Sequence, residues 1–428
     1  MKVQQISDSL YVLDSAVLQI TKRDAAFGFR ENLLMSGGSS TDHVCWGMLD
    51  NKPNMMKAMI VGNNQVPAQL VSIRDMLYGS GVGFFKQVIE GNKETLQPYM
   101  DTRLQEWSDD VELASHVAAG LNQYVECGNK FSKMIWDVNN RWFRPEVSDC
   151  FLTRIGDTST GKITNYHVND TFGTSRLVFD TANSDIIPAF DHRNFDQNRK
   201  NVTSMIHSKE DLPGQPFYSY PTWWCAQEWI ELANLIPMFH KSGIQNGYNI
   251  KYLIRMPHDY FDAQGLGKLD DKEKAKKWAS FSDKLSGWMA GQKNVNKSMI
   301  VRYLRGSDGK MMDNVDIIPL KNEMSDDAYS KVWEMANVSI ANAMGILPTL
   351  AGVNPGKGND SGSQIRVMAD YQQHFRSAVP RMLVLKDIKY ALRAMGYKDV
   401  FPAFKEVQIT TLDVNPTGAQ AVINSAAA

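Results

Sequence analysis

The chain has 428 residues, of which 43% are apolar and 22% charged, and its formal net charge is −1. That length holds two or three domains with ample core, and no basic balance advertises static nucleic-acid binding. The cysteines Cys45, Cys127, Cys150 and Cys225 form no CxxC pair, the run "LYVLDSAVLQI" is broken by Asp14 and makes no signal peptide, and no stretch reaches the roughly 18 apolar residues of a membrane span. A soluble intracellular chain with reduced, buried thiols is expected.

Residues 1–50 alternate short apolar runs with turn clusters such as Ser36 to Ser40, and mixed short elements are expected there. "MKAMIVGNNQ" reads as a strand and a turn, and "VPAQLVSIRDMLYG" as a helix ending at Gly79. "VGFFKQVIEGNKETLQPY" reads as two strands across a turn at Gly91 and Asn92. "DDVELASHVAAGLNQYVECGN" predicts a helix with Val111, Leu113, Val117, Leu121 and Val125 on one side and Gly128 at its end.

From 130 to 190 the pattern turns β-like, with "KFSKMIWDVN", "DCFLTRIG", "GKITNYHVN" and "SRLVFDT" at strand length. A polar segment runs from Asp191 to about Glu210, and "LPGQPFYSYPTWW" reads as a proline-punctuated linker. It leads into a helix from Thr222 that Pro237 is expected to bend or interrupt. The next stretch holds a strand "YNIKYLIRMP", a charged helix from about Asp270 to Gly291, and a hairpin "SMIVRYLRG–SDGK–MMDNVDIIPL".

The most informative stretch runs from Ser325 to Gly396. Ser325 is a good N-cap, and Val332, Trp333, Ala336, Ile340 and Met344 recur at helical spacing up to Gly345 and Pro348. A glycine-rich loop then covers Ile346 to Gln364, longer than the roughly 12–15 residues at which structureless loops become uncommon in compact domains. A second helix follows, with Ile365, Met368, Phe375, Val379, Met382, Ile388, Leu392 and Met395 read as one face and Pro380 near its middle as the expected kink. "VFPAFKEVQITTLDVNP" offers a last strand before a small-residue tail.

Catalytic motifs fail on context. "GDTSTGKIT" places Gly156, Gly161 and Lys162 as a phosphate loop would, but Ile163 stands where a Ser or Thr must hold magnesium, and strand-like runs flank it, so a hairpin tip is expected. A nucleotide-binding enzyme using Gly161 and Lys162 is the alternative reading. "GSGVG" at Gly79 to Gly83 follows a helix and precedes a strand, the reverse of a dinucleotide site. No HExxH or GxSxG occurs, so no catalytic residue, metal site or cofactor is assigned.

Several stretches carry a family resemblance: "PFYSYPTWWCAQEWIELANLIPMFHKSGIQNGY", "VWEMANVSIANAMGILPTLAGV" and "GNDSGSQIRVMADYQQHFRSAVPRM", with a weaker likeness over Asn51 to Leu152. Together they resemble the portal proteins of tailed bacteriophages, the head-to-tail connectors. The resemblance implies an α+β, elongated protomer with an α/β wing, a helical stem, a small α/β clip, a tunnel loop and a long kinked helix. On this chain the wing would be 1–221, the first stem helix 222–247, the clip region 248–324 and the second stem helix 325–346. The tunnel loop would be 347–363 and the long kinked helix 364–396, with 397–428 a returning wing strand and tail, the crown minimal or absent.

The resemblance further implies a non-enzymatic dodecameric ring at one capsid vertex of the virion, assembled in the host cytoplasm. Double-stranded DNA would pass through it, with terminase, major capsid or scaffold proteins, and neck or adaptor proteins as partners, and no membrane. Asn354, Lys357, Asn359 and Asp360, the polar positions of the loop, would face the DNA. A virion or scaffold assembly protein with no DNA conduit is a further alternative.

Overall fold

The two faces of one strand, Asn129–Asp137, divide the interior. Side chains alternate along a strand, so Met134 enters a large apolar cluster on one side while Phe131 enters a smaller one on the other. The computed structural model describes residues 3–7, 10–13, 43–47, 50–90, 93–156, 158, 162–173, 184–246, 251–255, 270–289, 316–320, 326–353, 362–405 and 407.

In chain order the elements are β1 (Val3–Ser7), β2 (Leu10–Leu13), α1 (Lys52–Gly62), α2 (Val66–Tyr78), β3 (Val82–Glu90), β4 (Lys93–Pro98), α3 (Thr102–Asp110) and α4 (Leu113–Cys127). There follow β5 (Asn129–Asp137), β6 (Trp142–Ser148), β7 (Thr153–Ile155), β8 (Asn165–Val168), β9 (Asp185–Pro188), α5 (Phe195–Lys200) and β10 (Thr203–Lys209). Then come α6 (Gln227–Asn246), β11 (Lys251–Arg255), α7 (Asp271–Met289), β12 (Asp316–Leu320), α8 (Asp326–Ala343), α9 (Gly362–Tyr371), α10 (Ala378–Val384), α11 (Lys386–Ala394) and β13 (Val400–Phe404). The fold is mixed helix and strand, of the α+β class.

Contacts divide the chain into two compact units, one of Met1–Asp24 and Asn234–Trp333, the other of Ala25–Ala233 and Glu334–Ala428. In the first, β11 pairs antiparallel with β12, β1 with β2, and Phe239 stacks on Tyr329 at 4.6 Å. In the second, β5 is the centre of an antiparallel sheet ordered β10-β5-β6. A second sheet, β13-β3-β4, brings the last described strand beside a strand some three hundred residues earlier, with Val400 opposite Lys86. A third small sheet is ordered β7-β8-β9.

Helix α4 packs on the larger cluster as its four-residue spacing requires: Leu113, Val117, Leu121 and Val125 are all buried. Gly128, at φ +69°, ends it by donating its amide to the Tyr124 carbonyl, and the chain turns directly into β5. The smaller cluster is tied by Tyr218, which stacks on Trp46 at 4.4 Å, donates its hydroxyl to the Val44 carbonyl and accepts from the Ile155 amide.

Several expectations change. The strand and turn expected in "MKAMIVGNNQ" are helix α1: Pro53 sits in its first turn, where its fixed φ favours helix, and Met56 and Ile60, four apart, are the buried pair. Asn63 then caps α2, its Oδ1 accepting from the amides of Gln65 and Val66. Helix α3 was not anticipated. It carries little apolar sequence, but Asp101 caps it by accepting from the Leu104 amide, and Leu104 and Trp107 anchor it.

The polar segment from Asp191 contains α5 and the edge strand β10, because only alternate residues of an edge strand need be apolar. The helix expected from Thr222 opens as a 3-10 turn, Thr222–Ala226, and α6 continues through Pro237 to Asn246, one lost backbone bond being outweighed by the rest of the helix. "SRLVFDT" and the first arm of the expected 298–320 hairpin lie outside the described residues; the described partner of β12 is β11.

Candidate functional site

The described ends of the oversized loop and the helices on either side of it form the candidate site. Helix α8 ends in a Schellman motif: the Gly345 amide donates to Asn342 and the Ile346 amide to Ala341, with Gly345 at φ +77°. Ile346 is buried, and Leu350 and Ala351 pack on the larger cluster. Between them Pro348 accepts from the Ala351 and Val353 amides, so the first part of the expected loop is a built turn. Helix α9 begins at Gly362, which shortens the expected loop from its far side as well. Asn354, Lys357, Asn359 and Asp360 all fall in the remainder, outside the described residues.

The second helix is not continuous. Helix α9 gives way to a π-helical turn, Gln372–Arg376, followed by Ser377, α10 and α11, with Leu385 between the last two. Pro380 is the third residue of α10. It cannot donate to the preceding turn, and the break lies just before it, where Ser377 Oγ instead donates to the Gln372 carbonyl at 3.0 Å.

That turn closes the base of the loop. Gln372 Nε2 and Arg376 Nη1 each donate to the Gly345 carbonyl at 2.9 Å, joining the end of α8 to the far side of the loop. One turn on, the buried Arg381 donates from Nε to the Leu77 carbonyl and from Nη2 to the Met76 carbonyl, where a cation suits the C-terminal end of α2. A cavity of about 300 Å³ lies beside these contacts, lined by Leu70, Tyr124, Trp223, Met344, Gln372 and Val379 among others.

The face read from sequence as one stripe divides in two. Ile388 and Leu392 are fully buried in the larger cluster and Met395 nearly so, whereas Phe375 is 75% exposed and Met382 62%, with Ile365 and Val379 also exposed; Val367 and Tyr371, outside the stripe read from sequence, are exposed too. The exposed Val367, Tyr371, Phe375, Val379 and Met382 follow one another at three- or four-residue steps from α9 into α10 and make one apolar ridge. Behind α11 the buried carboxylate of Asp387 is met by Lys130 and His116.

Other sequence candidates are not brought together. Strands β7 and β8 pair antiparallel with Ile155 opposite Tyr166, so Gly156 and Lys162 belong to a strand-to-strand connection rather than a strand-to-helix phosphate loop; Gly161 lies outside the described residues. Among the described residues no group of three His, Cys, Asp or Glu could hold a metal, and no helix is long and apolar enough to cross a membrane. Gln372 and Arg376 were not singled out from the sequence. Only the Gly345 cap was legible there, because a π-helical turn has no residue signature.

No protein-family model matches the sequence, and no curated protein is detectably similar to it. Among solved structures, the chain is similar to one in the neck of an empty GTA particle computed with C6 symmetry, with a TM-score of 0.51 and 14% identity over 88% of this chain and 89% of that one. It is also similar to a chain in the virion of a native gene transfer agent particle (TM-score 0.49, 14% identity, 91% of each chain). A third similarity is to an HK97-family phage portal protein from Corynebacterium diphtheriae (TM-score 0.39, 9% identity, 80% of this chain and 90% of that one). The first likeness shows a shared fold; the other two, below 0.5, carry no argument.

Proposed function

We propose that this chain is the portal protein of a tailed phage or phage-like particle, a structural subunit of a ring through which DNA is packaged, retained and ejected. The observation that carries this reading is the apolar ridge of α9 and α10. A helix that buries its apolar face from Ile388 onward and leaves it exposed from Ile365 to Met382 is built to meet another surface. The shared fold with a particle-neck chain in a structure of C6 symmetry supports a second copy as that surface.

On this reading the wing is 1–221, the stem helices 222–247 and 325–346, and the clip 248–324. The tunnel loop is 347–363, and the broken helix 364–396 leads back to a wing strand within 397–428. Asn354, Lys357, Asn359 and Asp360 face the duplex. The ring is dodecameric, sits at one capsid vertex, and contacts terminase, capsid or scaffold proteins and neck proteins. ATP hydrolysis belongs to the motor, so the chain needs no nucleotide site.

Negative-stain imaging of the purified full-length chain tests the core of this reading. Rings with a central hole of duplex width are expected, and a compact monomer at all concentrations overturns it. The loop assignment has a separate test: Lys357→Ala with Asn359→Ala should leave ring formation intact while lowering genome packaging or retention. Unchanged packaging removes the loop from the DNA path.

A further inference from the structure

Two cysteines 23 positions apart in sequence meet at one seam: Cys127 Sγ and Cys150 Sγ are 2.7 Å apart, and both residues are buried. Cys127 is the last residue of α4, and Cys150 lies in the turn from β6 to β7. Neither position is loosely held. One turn before Cys127, Gln123 donates from Nε2 to the Ser148 carbonyl at 2.6 Å and accepts the Phe131 amide at 2.8 Å, so α4, β5 and β6 are fixed to one another there. Asn129 Nδ2 holds the Cys127 carbonyl, and Arg154 Nη1 reaches the Cys150 carbonyl. Phe131 and Ser148 are opposite one another in the β5–β6 ladder, which sets the same spacing from the strand side.

We infer that Cys127 and Cys150 are an oxidisable pair, closing a disulfide that staples the C-terminal end of α4 to the β6–β7 turn. Closing the bond takes the sulfurs from 2.7 Å to about 2.05 Å, across a seam whose surrounding hydrogen bonds are already in place. This inference does not depend on the proposed function. It differs from the reduced, unpaired thiols expected from sequence, where the two residues show no metal or redox spacing. Cys45 is buried and Cys225 exposed, the latter donating to the Thr222 carbonyl.

The oxidant is a small-molecule disulfide of the glutathione class. A thiolate of the pair attacks one of its sulfurs, forming a mixed disulfide and releasing one thiol. The second cysteine then displaces the other half, so the protein loses two hydrogens and the oxidant becomes two thiols. Burial, reinforced by Cys127, pushes the Cys150 thiol well up, so the closed core reacts slowly and the bond forms while the chain folds or opens.

The test is refolding of the full-length chain in a mixture of oxidised and reduced glutathione, followed by alkylation under denaturing conditions and peptide mapping. A Cys127–Cys150 peptide about 2 Da lighter than the sum of its free-thiol halves is expected. The oxidised protein should melt about 5 °C or more above the same protein reduced, since the bond closes a loop in the unfolded chain. A Cys45→Ala, Cys225→Ala double variant should keep that difference, and Cys127→Ala, Cys150→Ala should lose it. Should the second variant not fold, the comparison of the native chain with and without reductant stands alone. Two alkylated thiols at 127 and 150, a crosslink to Cys45 or Cys225 instead, or a midpoint not raised by oxidation each overturn the inference.

Discussion

Lys130 Nζ donates to Asp387 Oδ2 at 2.7 Å, inside the protein and across 257 positions of sequence. The same oxygen meets His116 Nε2 at 2.8 Å, and the Lys130 ammonium also reaches the Val384 carbonyl. Alternation along β5 dictates this: Phe131 faces the smaller cluster, so Lys130 must face the larger one, where α11 supplies its counter-charge. Burial opposes the charge on Asp387, but Lys130 and His116 hold its carboxyl well below the usual carboxylate range. Burial likewise lowers the Lys130 ammonium, against the pull of Asp387.

Removing one partner should therefore be far worse than removing both. Asp387→Asn is expected to destabilise the chain by about 3–5 kcal/mol in denaturant unfolding, because the buried Lys130 ammonium loses its counter-charge, and Lys130→Met, which leaves Asp387 its His116 contact, by somewhat less. Lys130→Met with Asp387→Leu should recover most of that loss. Since the folded carboxyl is depressed, this contribution is complete above about pH 4, the ordinary carboxylate value, and fades as pH falls further. Single variants within 1 kcal/mol of the native chain contradict this account.

His207 gives a second pH signature in a different window. It stacks on Phe131 at 4.4 Å, bonds Asn129 Oδ1 through Nε2, and is held well below its ordinary value by burial, then by Lys209 and Lys386. The unfolded chain takes up a proton near pH 6.5 that the folded chain refuses, so stability falls as pH drops below that value. The slope should approach about 1.4 kcal/mol per pH unit between pH 6 and 5. His207→Gln should flatten it, as measured by urea unfolding at a series of pH values.

At the loop base, the two donors to the Gly345 carbonyl differ in exposure. Gln372 is buried and Arg376 is exposed. Gln372→Ala should weaken the closure by about 1 kcal/mol, raising amide exchange of residues 346–353 roughly fivefold, and Arg376→Ala should do less. Equal exchange in all three proteins means the contacts do not hold the turn.

The apolar ridge separates assembly from folding. Phe375→Asp with Met382→Asp removes two exposed side chains and no core contact, so the thermal midpoint should move by no more than about 2 °C. Sedimentation velocity should show the ring species lost. A variant that still assembles excludes this ridge from the interface.

Local elements were legible wherever a strong periodic run ended at a glycine. Helices α2, α4 and α8 stop at Gly79, Gly128 and Gly345, each at positive φ. The β3–β4 hairpin and the strand-to-strand setting of Lys162 also follow from short-range patterning. Elements with few apolar residues were not legible. Helix α3 depends on the Asp101 cap and on Trp107 meeting the Phe143 carbonyl, and β10 on pairing with β5 across more than sixty residues.

The sequence by itself determined the α+β class, the capped helix before the loop, and the apolar character of the face from Ile365 to Met395. Only tertiary structure decided which part of that face is core. Periodicity reports that side chains share a side of a helix, not what that side meets. Strands β6 and β13 pack on α11, and nothing among the described residues covers Phe375 or Met382. In the same way the sequence supplied Cys127 and Cys150 as unrelated thiols. The turn at Gly128 and the β5–β6 register made them neighbours, because contact between distant residues is set by how elements pack and not by spacing along the chain.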